Sequence, residues 1–299
     1  MILNQKIPFK YIYNKIKGQL VYVIIIAVIV KLIALQFIDY IPEMPLSIPA
    51  FIGTAISVIL SFKLSQSYDR WWEARKIWGA IVNDSRTLVL YLQSFLNQQN
   101  NSVEIKQITY RQIAWCYSLG QNLRGLDALA NTEELLSIEE REQLRSFTNK
   151  PLGILQLNTL ELAKLKEKGE LSDFEHVQLS NIMSRFSDSM GMAERIKNTV
   201  FPMTYRILLH FMIYIFVITL SLALGEIRGI FELPLLIVLS STFLLLEKTA
   251  THMQDPFENR PSDIPVTSIS RTIDINLRQM INDNDKIPAP YQPESFYSL

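Results

Sequence analysis

Apolar positions along the chain gather into four blocks, two near the start and two after a long mixed section. The first, Gln19 to Ile38 (QLVYVIIIAVIVKLIALQFI), contains Lys31 as its only charge. At 1.5 Å per residue it covers about 30 Å, the thickness of a bilayer's hydrocarbon core. The second block, Leu46 to Phe62, is free of charge and lies between Glu43 and Lys63. The third, Ile207 to Leu224, is interrupted only by His210, Thr219 and Ser221. The fourth, Leu233 to Leu246, sits between Glu232 and Glu247 and holds about 14 residues, a length at which buried core helices compete with membrane spans. The pattern predicts four transmembrane helices. A secretory signal in the first block would need a small-residue cleavage site, and QFIDYIPEMP offers none. A soluble bundle would have to bury several long charge-free runs.

Flanking charge orients the spans. Lys6, Lys10, Lys15 and Lys17 precede the first block, whereas the connector Asp39 to Pro45 has no basic residue, which predicts a cytoplasmic N-terminus. An even number of crossings then leaves the middle section and the C-terminal tail in the cytoplasm. The expected divisions are residues 1–66 for the N-terminal segment and first two spans, 67–204 for a cytoplasmic helical domain, 205–252 for the last two spans, and 253–299 for a cytoplasmic tail.

The middle section has helical periodicity. Trp72, Ile77, Trp78, Ile81, Leu88, Leu90, Leu92 and Phe95 recur at compatible spacings without an intervening proline, so the second span can continue directly into this helix. Further helices are expected over Val103 to Leu123, Thr132 to Phe147 and Pro151 to Lys168, the last stopped by Gly169. Ser172 and Glu175 form a capping-box pattern that opens a helix to Asn198. The tail from Asp255 carries six prolines around one helical stretch, Ser268 to Met280. The rest of the tail is either a disordered end or a segment lying on a neighbouring surface. The predicted fold class is all-α, with four transmembrane helices and a cytoplasmic helical bundle.

Composition narrows the function. The 29 Lys and Arg balance 29 Asp and Glu, leaving no excess charge for counterion-driven binding of nucleic acid. A single cysteine, Cys116, excludes an intrachain disulfide framework and a thiolate zinc site. No phosphate loop, HExxH, GxSxG or CxxC pattern occurs, so neither an enzyme nor a bound cofactor is expected. His176, His210 and His252 lack ligand spacing, and no metal site is expected. Polar groups at membrane depth carry more information, because they face a packed interface or water. Lys31 reads as a snorkelling or interhelical hydrogen-bonding residue, with a role in permeation as the alternative, and Glu247 with Lys248 as the point where the fourth helix leaves the bilayer. Asp39 and Glu43 would place negative potential at the outer mouth of a pore. Thr54, Val58 and Phe62 recur every four residues on one slowly rotating face. Packing explains such a row, and so would a narrow apolar constriction.

The segment SYDRWWEARKIWG, Ser67 to Gly79, with Asp69, Arg70, Trp71, Trp72 and Glu73 at its centre, closely resembles the bestrophin family in its bacterial form. DPF at Asp255 to Phe257 and the following SDIPVTSISRTIDINLRQM are similar to that family's post-membrane segment. The resemblance implies a homopentameric ion channel in the cell (inner) membrane, with the lipid bilayer and permeating monovalent ions as partners. It places Thr54, Val58 and Phe62 in a hydrophobic neck and Phe174 at a cytosolic constriction. The animal members' calcium clasp corresponds here to DPFENRPSD, where Glu258 replaces a glycine, Arg260 replaces an acid and only Asp263 remains. Calcium ligation takes about six to eight oxygens, so calcium activation is not expected. The family label implies chloride or another anion, whereas Asp39 and Glu43 favour a cation such as sodium. Two other functions fit the sequence: a secondary transporter, for which Pro49 and Gly53 could mark a broken helix, and a membrane-anchored scaffold or sensor.

Overall fold

The computed structural model describes residues 1–2, 6–37, 40, 44–97, 100–199, 202–224, 231–292 and 296–298. Among these, all regular structure is helical: α1 (Phe9–Gln36), α2 (Ser47–Phe95), α3 (Ser102–Leu123), α4 (Ile138–Arg145), α5 (Lys150–Glu167), α6 (Asp173–Asn198), α7 (Met203–Ala223), α8 (Glu232–Gln254) and α9 (Val266–Met280). A 3-10 turn follows at Asn284–Lys286, and a lone antiparallel bridge joins Ile2 to Tyr297. The chain divides into two compact units, one formed by residues 5–70 and 200–254, the other by residues 1–4, 71–199 and 255–299.

The first unit holds the four helices long and apolar enough to cross a membrane, α1, α2, α7 and α8. Its interior is built from Val23 and Ala27 of α1, Ile56 and Leu60 of α2, Leu209, Ile213 and Val217 of α7, and Leu236 and Leu244 of α8. Its exterior is also apolar, with Ile25, Ile29, Leu32, Ile207, Phe211 and Val238 exposed. Helices that are hydrophobic all round suit a lipid solvent rather than water. Gly53 lets α2 approach α7: a Cβ there would sit 3.2 Å from the Phe216 ring, which packs edge-on against Phe243 at 5.2 Å.

The second unit is a helical bundle around Trp78, Leu88, Leu92, Ile108, Ile113, Trp115, Leu119, Leu162 and Phe186. The part of the tail from Asp255 to Met280 packs into this bundle. Phe257, Ile264, Val266, Ile273 and Leu277 are buried in this core, and α9 lies mainly against α3. Three boundaries depart from the sequence expectation. Helix α1 begins ten residues before its apolar block, because the Lys- and Tyr-bearing stretch after Pro8 is also helical. Helix α8 continues past Glu247 to Gln254. Helix α4 starts only after Ser137, because turns around Thr132 precede it and a capping box between Ser137 and Glu140 sets its first turn.

Candidate functional site

Helix α2 presents two unlike faces in the spanning unit. Ile56, Leu60 and Lys63 are buried, whereas Thr54, Val58 and Phe62 are exposed, Val58 by 52% and Phe62 by 65%. Phe51, which periodicity did not single out, is 76% exposed. Two hydroxyls along this stretch bond back to the helix's own carbonyls: Thr54 Oγ1 donates to the Ala50 carbonyl at 2.9 Å and Ser57 Oγ to the Gly53 carbonyl at 2.8 Å. Satisfied in this way, Thr54 offers a methyl group rather than a free donor. The row thus presents Val58, Phe62 and the Thr54 methyl, with the threonine's donor already used.

Directly behind it lies a charge cluster that the sequence did not reveal. Lys63 and Glu247 are each 1% exposed, with Nζ 2.8 Å from Oε1. Lys63 Nζ also donates to Thr251 Oγ1 at 2.9 Å, and Thr251 in turn donates to Glu247 Oε1 at 2.9 Å. The other carboxylate oxygen, Oε2, faces His210 Nε2 at 3.4 Å, and Gln19 Nε2 lies 3.3 Å from the same imidazole nitrogen. Four helices thus converge on one group of hydrogen-bonded side chains. Glu247 is an interior residue of this helix group. The available signal was Lys63 and Glu247 at the C-terminal ends of two apolar blocks, but flanking charges are so ordinary there that spacing alone could not pair them. Lys31 is an interhelical residue, as one of its sequence readings had it: its Nζ bonds Glu232 Oε2 at 2.7 Å.

The Asp69 to Glu73 motif falls within α2. Trp71 Nε1 donates to the Ser262 carbonyl at 3.2 Å and the indole stacks on Trp72 at 6.5 Å. Glu73 pairs with Arg195 at 2.9 Å. Asp69 is exposed and Arg70 half-buried. Phe174 belongs to the other unit, on the first turn of α6, and is 87% exposed. The Ser172–Glu175 capping box fixes that turn. Asp39 and Glu43 lie outside the described residues.

Asp263 serves as a turn anchor. Its Oδ2 accepts from the backbone N–H groups of Glu258 at 2.7 Å and Arg260 at 2.9 Å. Burial pushes its carboxyl up, against the lowering effect of those N–H groups. No group of three or more His, Cys, Asp or Glu side chains among the described residues is placed to share a metal ion. A cleft of about 840 Å³ in the second unit has Val103, Leu135, Leu136 and Ile281 in its walls. Its Lys106 and Glu140 are already paired, with Asp283 and Arg111.

Four apolar helices around a buried ionic cluster, each with exposed apolar side chains, define an integral membrane protein of the all-helical class. Residues 9–279 match the bacterial/fungal bestrophin protein family, and the chain belongs to that family. Escherichia coli K12 YneE, named a voltage-dependent anion channel-forming protein, is 30% identical over 250 residues, covering 84% of this chain and 81% of its own. A Ralstonia nicotianae protein, RSc3414, bearing the same description is 24% identical, with 78% and 76% covered. The crystal structure of a bacterial bestrophin homologue from Klebsiella pneumoniae superimposes with a TM-score of 0.81 at 27% identity, over 89% of this chain and 98% of that one.

Proposed function

We propose that the chain is one subunit of a homopentameric anion channel in the cell membrane, with Thr54, Val58 and Phe62 of α2 lining its neck. One observation carries this reading: a row of large apolar side chains stands uncovered along α2 while the same helix buries its opposite face. In a symmetric ring, five such faces enclose an apolar constriction narrow enough to control passage by dewetting. The channel-forming description of the relatives supports permeation, and the anion in that description supports chloride over a monovalent cation. On this reading residues 67–204 and 253–299 are cytoplasmic, both termini are cytoplasmic, Phe174 lines a second constriction, and Asp39 and Glu43 stand at the outer mouth. The turn commitment of Asp263 supports gating without calcium.

Purified protein in planar bilayers under a sodium chloride gradient tests this. The expected reversal potential lies near that of chloride, and Phe62→Ala raises the unitary current. A reversal near the sodium potential assigns a cation pore and overturns the selectivity. Silence of correctly inserted protein returns the transporter and scaffold functions.

A further inference from the structure

We propose that Lys63 and Glu247 are positioning residues for the neck: the buried pair fixes the rotation of α2 that aims Phe62 at the pore axis. The inference rests on the reading of Phe62 as a constriction residue.

Lys63 follows Phe62 directly, so its side chain leaves α2 about 100° further round the helix. An apolar face that packs only through dispersion contacts can rotate by small amounts at little cost, since those contacts are non-directional. A charge-assisted hydrogen bond is short and directional. Lys63 Nζ is held at two points, Glu247 Oε1 at 2.8 Å and Thr251 Oγ1 at 2.9 Å, on successive turns of α8. Glu247 is itself held by Thr251 on its own helix and faces His210 of α7. Gln19 of α1 closes the group behind His210. The anchor is therefore built from all three neighbouring helices, and every contact that fixes Lys63 also fixes the azimuth of the turn carrying Phe62. Stability alone does not call for such an arrangement, because a buried ion pair contributes little more than well-packed apolar side chains of the same volume. What it adds is angular definition, on the one helix whose opposite face lines the proposed pore.

The test is a mutant cycle on unitary conductance. Lys63→Met should change the conductance of the wild-type channel by about twofold or more, with the change absent when Phe62 is already alanine. Lys63→Arg, which keeps the charge, and the reversed pair Lys63→Glu with Glu247→Lys should both restore conductance to near the wild-type value. If Lys63→Met does not insert, the paired replacement Lys63→Met with Glu247→Leu takes its place, with the same expected dependence on Phe62. Unchanged conductance with lowered thermal stability would show a merely structural pair. Equal effects of Lys63→Met with and without Phe62 would show that the pair does not act through the neck. Either result overturns the proposal and leaves the pore reading standing. If Phe62→Ala alone leaves the current unchanged, the pore reading fails first, and the positioning role with it.

Discussion

Lys63 and Glu247 show how little a single residue's type says before its partner is known. Each reads as a charge at the end of an apolar run, yet each is buried at 1% exposure against the other. Removing one partner leaves the other charge uncompensated in a dry interior, at a cost of about 3–5 kcal/mol. Glu247→Ala is therefore expected to lower the melting temperature sharply, as read by intrinsic tryptophan fluorescence. Cys116 lies in the second unit's core, and burial pushes its thiol up to about 12, against hydrogen bonds with Ser85 and Gln112. A raised thiol pKa adds stability that is fully present below the ordinary thiol range and is lost only as pH rises towards that value. At pH 8 the folded protein should resist a disulfide-exchange reagent, and denaturant should release one reactive thiol per chain. Asp283 has the opposite sign. Burial favours its neutral form, but hydrogen bonds from Tyr110 and Lys106 outweigh this and hold the carboxyl below its ordinary value. Its contribution is complete above the ordinary carboxylate range and lost as pH falls through the lowered value. Asp283→Asn should flatten the acid limb of the stability profile, measured by thermal melts between pH 6 and pH 3.

At the scale of elements, a capping box marks a helix start more sharply than apolar periodicity does. Ser172 with Glu175 opens α6 where the capping pattern placed it. The same pattern at Ser137 and Glu140 opens α4, although an earlier start looked natural from the charge-rich run after Thr132. Ser137→Ala should cost about 1 kcal/mol by orphaning a first-turn N–H, visible as a small loss in denaturation midpoint. Helix α2 is continuous over 49 residues, more than twice the about 20 needed to cross a bilayer. No proline or cap interrupts its later turns, so continuation was foreseeable. Gly53 does not break the helix; it makes room for the Phe216 ring. Gly53→Val should therefore destabilise the spanning unit by about 1–3 kcal/mol through overpacking, measured as a lower melting temperature in detergent.

At the scale of the whole molecule, the proposed ring makes a direct prediction: the detergent-solubilised particle should have five times the chain mass, by light scattering corrected for bound detergent. A monomeric particle that still conducts would remove the enclosed neck. Four apolar blocks, a helical middle section and a motif centred on Trp71 and Trp72 were enough to define a four-span helical membrane protein and its family, because hydrophobic length and periodicity are properties of neighbouring positions along one chain. The row Thr54, Val58 and Phe62 was legible as a helical face for the same reason, but whether anything covered it was not. Only the tertiary structure decided that α7 and α8 cover the opposite side, that the proline-rich tail completes the second unit's core through Phe257, Ile264 and Leu277, and that Lys63 meets Glu247 across 184 positions of sequence. The physical reason is that burial and ion pairing belong to pairs of distant residues. No window along the sequence holds both members, and a charge acquires its meaning only when folding brings its partner within hydrogen-bonding distance.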